Sequence, residues 1–131
     1  LNNNQLAKYN TVIGFNFCLQ AWNFQDYFRT IQWIEQYEPQ AITVNTVDQS
    51  WLSIAILPDR YRRQWLNGIS IQEKNILERR GELKKWLDHT PFDPQQVPQF
   101  LAITRQLDSH RGTDFSKLNP LLWDSLADYT Q

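Results

Sequence analysis

The chain has 131 residues, enough for one domain with a modest core and too few for two, and its 14% aromatic and 41% hydrophobic content argues against intrinsic disorder. A net charge of -1 supplies no global attraction to nucleic acid or to an anionic membrane. Cys18 is the single cysteine, so an intrachain disulfide, a CxxC metal knuckle and a cysteine-held iron-sulfur cluster are all excluded within these residues, and a reducing compartment is the default.

Along the chain, the polar start Leu1 to Asn10 lacks the basic and apolar regions of a signal peptide, and no apolar run approaches the roughly 20 residues of a membrane span. A cytoplasmic protein without a membrane partner is expected. Met is absent, so residue 1 is not an initiator and the chain is either a processed product or, as the favoured reading, a piece of something longer. Thr11 to Gln20 alternates: Ile13, Phe15, Phe17 and Leu19 on one face, Val12, Gly14, Asn16, Cys18 and Gln20 on the other, which predicts a strand packed under helices on its apolar side. Asn23 can cap a helix carrying Phe24, Tyr27, Phe28, Ile31 and Ile34, ended by Pro39. Ala41 to Val47 is rich in β-branched residues and predicts a second strand, with Ile42 and Val44 opposed to Thr43 and Asn45. Residues 11–58 thus form a βαβ portion of an α/β domain.

From residue 59 to 131 the signals are helical. Trp51 to Leu57 is apolar and of undetermined type. Asp59 can cap a short helix through Tyr61, Trp65 and Leu66, with Asn67-Gly68 closing it in a left-handed turn. Ser70 and Glu73 have capping-box spacing, and one longer helix carrying Ile76, Leu77, Leu83, Trp86 and Leu87 is predicted to run until Pro91. Pro98 opens a helix with the stripe Phe100, Leu101, Ile103, Thr104 and Leu107, ended by Gly112, and Asn119-Pro120 starts a last one through Leu126.

Few constellations carry chemistry. Arg60, Arg62 and Arg63 beside Tyr61 and Trp65 could meet phosphate and bases, but with Asp59, Glu73 and Glu78 nearby they read as a solvated helix face with local ion pairs; nucleic acid is not expected as a partner. His89 and His110 lack a third ligand at metal spacing, so no metal site is predicted. Cys18 has no nucleophile signature around it and reads as a buried or cavity-facing thiol. No G-x-G-x-x-G or Walker loop is present, and no catalytic residue is assigned. The polar face of the first strand is more specific. In parallel barrels, inward residues near the strands' C-terminal ends line the site, a position held by Asn16, Cys18 and Gln20, then Asn23, and by Asn45, Thr46 and Asp48 on the second strand. Gln20, Asn23, Asn45 and Thr46 are therefore the candidate pocket-lining residues; the competing reading is that these amides only satisfy turn and cap backbone.

The segment from Phe100 to Phe115, with Leu107-Asp108-Ser109-His110-Arg111-Gly112 at its centre, resembles the C-terminal signature of twitch-type radical SAM proteins, in which a helix ending in Leu-Asp-x-x-Arg-Gly precedes a short aromatic tail. Leu52-Ser53-Ile54 and Leu57-Pro58-Asp59 are similar to the stretch after that family's last barrel strands, and the first strand with Asn23 fits a late strand and its turn. The resemblance implies the late strands of a partial TIM-like barrel at whose open end S-adenosylmethionine meets a [4Fe-4S] cluster. The family's CxxxCxxC cluster loop is not in this sequence. Both cofactors are therefore expected only with a missing upstream barrel portion or a protein partner, and the chain would shape the S-adenosylmethionine or substrate pocket without being catalytic alone. Asp108, Arg111 and Gly112 match the signature and read first as a capping and ion-pair device. The alternative is a non-enzymatic α/β protein-interaction module or subunit.

Overall fold

The computed structural model describes residues 13–47 and 52–129. The expectations placed on Leu1 to Asn10, Thr11, Val12, Asp48 and Trp51 lie outside the described residues. Alternating apolar and polar residues form β1 (Gly14–Leu19), and the β-branched run forms β2 (Ala41–Thr46). The two pair in parallel, Gly14 against Ala41 through Leu19 against Thr46. The crossover between them carries a single turn of 3-10 helix, Phe24–Asp26, and then α1 (Tyr27–Glu35). Phe24, Tyr27, Phe28, Ile31 and Ile34 are all buried, as their helical spacing predicts.

The βαβ unit is followed by a helical region: α2 (Asp59–Asn67), α3 (Ile71–Arg80), α4 (Glu82–His89), α5 (Val97–Arg111), α6 (Phe115–Leu118) and α7 (Pro120–Leu126). One core joins both portions, with Leu19 and Phe28 packed into the same cluster as Leu57, Tyr61, Phe100 and Leu122. Each such fully buried side chain contributes about 1.5–3 kcal/mol relative to exposure. Ring contacts hold α1 to α2: Trp65 stacks on Phe28 at 5.1 Å between centroids and meets Phe24 at 4.5 Å. Among the described residues no helix is long and apolar enough to cross a membrane.

The caps follow the sequence in part. The Ser70 hydroxyl accepts from Glu73 N (3.1 Å) while the Glu73 carboxylate accepts from Ser70 N (3.0 Å), a complete capping box. Gly112 ends α5 at φ +65, and Asn119 caps α7 by accepting from Leu122 N. Other positions depart from expectation. The region predicted as one helix from Ser70 is broken at Gly81, whose φ of +73 turns the chain between α3 and α4. That turn lets Arg80 reach the Glu82 carboxylate and the Ile42 carbonyl while Tyr27 donates to Glu82, so three distant elements meet there. Gly68 does not adopt a left-handed conformation; at φ -92 it continues the right-handed turn of α2. Pro58, not Asp59, occupies the N-cap of α2. The stretch of undetermined type contains a 3-10 turn, Ile54–Ile56, capped by the Ser53 hydroxyl.

The arginine cluster is also divided. Arg60 and Arg63 are exposed as expected, but Arg62 is buried and donates to three carbonyls, Leu57 at 2.9 Å, Leu87 at 3.1 Å and Ile54 at 2.8 Å. Its guanidinium thereby ties the 3-10 turn Ile54–Ile56 and the Leu57 that follows it to the last turn of α4. Tyr61 and Trp65, the aromatic neighbours that base stacking would need, are turned into the core.

Candidate functional site

The two strands set a polar face against an apolar one. Phe15, Phe17 and Leu19 turn toward α1, with Phe17 stacked on Tyr27 at 6.4 Å. On the opposite face Gly14, Asn16 and Cys18 stand beside Ala41, Thr43 and Asn45, and all six are exposed. Asn45 Nδ2 donates to Asn16 Oδ1 at 3.0 Å, a diagonal amide pair across the ladder. Among the described residues no strand pairs with the outer edge of either β1 or β2. A parallel pair with one face bare is unusual, because parallel sheets are normally covered on both faces.

The strands' C-terminal ends hold the four candidate residues. Gln20 follows β1 at the same parity as Asn16 and Cys18, and Asn45 lies beside Cys18 on the open face. Thr46 pairs with Leu19 and shares the parity of buried Val44, which puts it on the helix-covered side of the ladder. Asn23 stands at the N-cap of the 3-10 turn before α1, but its side chain makes no capping hydrogen bond there. Its Oδ1 accepts from Gln20 N and its Nδ2 donates to the Cys18 carbonyl, both at 2.9 Å, so the amide closes the turn that leaves β1. Gln20 and Thr46 make no side-chain hydrogen bond among the described residues, and Asn45 spends one donor on Asn16. The strand ends thus offer neutral amides and a hydroxyl, suited to hydrogen-bonding a polar ligand rather than to proton transfer.

Asp108, Arg111 and Gly112 stand elsewhere, at the C-terminal end of α5. Asp108 Oδ1 accepts from the Thr113 hydroxyl at 2.7 Å and Oδ2 from Phe115 N at 3.0 Å, which fastens α5 to α6 around Gly112. Arg111 is exposed and forms no ion pair among the described residues. Sequence reasoning missed what this helix end faces: Trp22, whose Nε1 donates to the buried Thr104 hydroxyl at 2.9 Å, brings the turn after β1 against α5. The pair lies 82 positions apart, beyond any local pattern. Cys18 is exposed, not buried. His89 Nδ1 donates to the Lys85 carbonyl near the end of α4, and among the described residues no three of His, Cys, Asp and Glu gather as a metal-binding group.

No family model matches the chain, and no curated protein and no solved structure matches it.

Proposed function

We propose that the chain is the C-terminal portion of a radical SAM-like protein, contributing late strands of a partial barrel and shaping the S-adenosylmethionine or substrate pocket without carrying the cleavage chemistry. One observation supports this reading above the rest: a parallel βαβ unit covered by a helix on its apolar face, with an uncovered amide-lined face and free outer edges on both strands among the described residues. Backbone N–H and C=O groups on such edges call for further strands, and polar side chains on such a face suit the lining of a barrel mouth. In this role Gln20 and Asn45 would hydrogen-bond the ligand, Asn23 would hold the turn that presents Gln20, and Thr46 would complete the rim from the neighbouring face.

The family's cluster does not fit this chain. Three thiolates are needed to hold it and the sequence has one cysteine, exposed on the open face, so the ligands would have to come from an upstream portion or a partner, and no step is assigned to the cluster here. A reducing, cytoplasmic setting belongs to the same proposal. The gene itself supplies the test. An in-frame reading upstream of the Leu1 codon should encode CxxxCxxC, and the protein so extended should take up a [4Fe-4S] cluster anaerobically, whereas this chain alone should stay colourless. A reading frame without that loop, or a stable cluster on this chain at one per molecule, would sink the proposal.

A second reading has one specific observation behind it. Trp33 and Tyr37 are 55% and 38% exposed and cluster with Phe15, the two ring centroids 5.2 Å apart. An aromatic patch of that kind suits a protein-interaction module.

A further inference from the structure

A cavity of about 580 Å³ lies between the turn after β1 and the C-terminal half of α5, and no residue of the amide face lines it. Its size is that of a small-molecule site. Its apolar wall is formed by Trp22, Leu107, Phe115 and Leu118. The polar groups around that wall are almost all committed. Trp22 donates to Thr104, and Gln25 donates to the Leu118 carbonyl. Both Asp108 oxygens are held by Thr113 and Phe115, and Asp26 pairs with Arg29.

Arg111 is the exception. It lines the cavity, and its guanidinium has no carboxylate within ion-pair distance and no hydrogen-bond partner among the described residues. A cation left over beside an apolar wall whose donors and acceptors are already used defines the missing partner. It should carry one anionic group able to accept a forked hydrogen bond, and an apolar body with no polar atoms to satisfy. A phosphorylated or multiply hydroxylated ligand would find one unpaired cation, Arg29 being held by Asp26, and few free donors, and would leave its own polar atoms unpaired.

We propose that this cleft binds a small organic carboxylate with an aromatic body, the carboxylate on Arg111 and the ring against Trp22, Leu107 and Phe115. None of Gln20, Asn23, Asn45 and Thr46 lines this cleft, and the proposal does not depend on the barrel reading. The helix-end device at Gly112 has a purpose under it, since the Asp108 bonds to Thr113 and Phe115 fix the position from which Arg111 projects.

The test is a titration of the intact chain with 3-phenylpropionate and, separately, 3-phenylpropionamide, followed by the 1H–15N resonance of the Trp22 indole. The carboxylate should shift that resonance saturably, and the neutral amide should bind about 10-fold more weakly, the share expected of one charge-assisted contact at a partly open site. Arg111→Gln, at an exposed position, should keep the wild-type spectrum and bind both probes with the weaker affinity, and Arg111→Lys should recover part of the difference. Absence of a saturable shift with phenylpropionate, equal binding of the two probes, or unchanged carboxylate affinity in Arg111→Gln would each overturn the proposal.

Discussion

Single residues show most sharply where chain-local reasoning stops. Arg62, Asn23 and Trp22 all take roles set by atoms distant in sequence or by backbone geometry: Arg62 serves the carbonyls of Ile54, Leu57 and Leu87, and Trp22 reaches Thr104. Nothing distinguishes Arg62 from Arg60 or Arg63 in the sequence; only the angular position on α2 and the arrival of α4 make it a buried staple. Tyr27 and Tyr61 carry a consequence of the same kind. Burial, and then the Glu82 carboxylate to which its hydroxyl donates, push the Tyr27 phenol well above the ordinary tyrosine range. Burial raises Tyr61 as well, against the Asn119 amide that donates to its oxygen. The unfolded chain loses these protons near pH 10 while the folded chain keeps them, so the stability they contribute is fully present below that pH and is lost as pH rises. Urea melts at pH 9, 10 and 11 should show stability falling above pH 10, by up to about 1.4 kcal/mol per pH unit from Tyr27 and by less from Tyr61. Tyr27→Phe should remove the larger part of that slope, and an unchanged slope in that variant would count against the buried pair.

At the level of elements, what was legible is what is local. The capping box of Ser70 with Glu73, the Asn119-Pro120 start and the Gly112 stop are each written within four residues and appear as expected. The alternation in β1 and the helical stripe of α1 were readable because burial on one side enforces a period. Gly81 was not readable, because the apolar positions Ile76, Leu77 and Leu83 continue across it and only the meeting of Arg80, Glu82 and Tyr27 shows why the chain must turn there. The glycines therefore separate into two kinds. Gly81 and Gly112 sit at φ +73 and +65 with no atom within 4 Å of an added Cβ, so alanine there should cost about 1 kcal/mol from backbone strain alone. Gly68, at φ -92 with ordinary contacts, should accept alanine without loss or with a gain of up to about 1 kcal/mol. Denaturant midpoints of the three variants check this ordering, and a Gly68→Ala variant less stable than the other two would reverse it.

For the whole molecule, one core binds the βαβ unit to the helices, yet the sheet's other face carries only amides, a hydroxyl, a thiol and small side chains, all open to the outside. Sequence periodicity showed that face to be polar, but not whether it was enclosed; enclosure depends on atoms beyond the ladder. It also placed Asn45 and Thr46 together as rim residues, whereas the register divides them between faces. The barrel proposal stands on this bare face and its orientation, whereas the interaction-module reading rests on the aromatic patch of Phe15, Trp33 and Tyr37 on the other side. Cys18 reports the orientation of the bare face directly, being the single thiol of the chain and lying in the middle of the open face. Its reaction with a disulfide reagent such as 5,5'-dithiobis(2-nitrobenzoate) in native buffer should proceed within about 10-fold of the rate in 8 M urea, as expected of an accessible thiol. A thiol that reacts more than about 100-fold slower until the protein unfolds would mean that this face is buried, and would contradict the account.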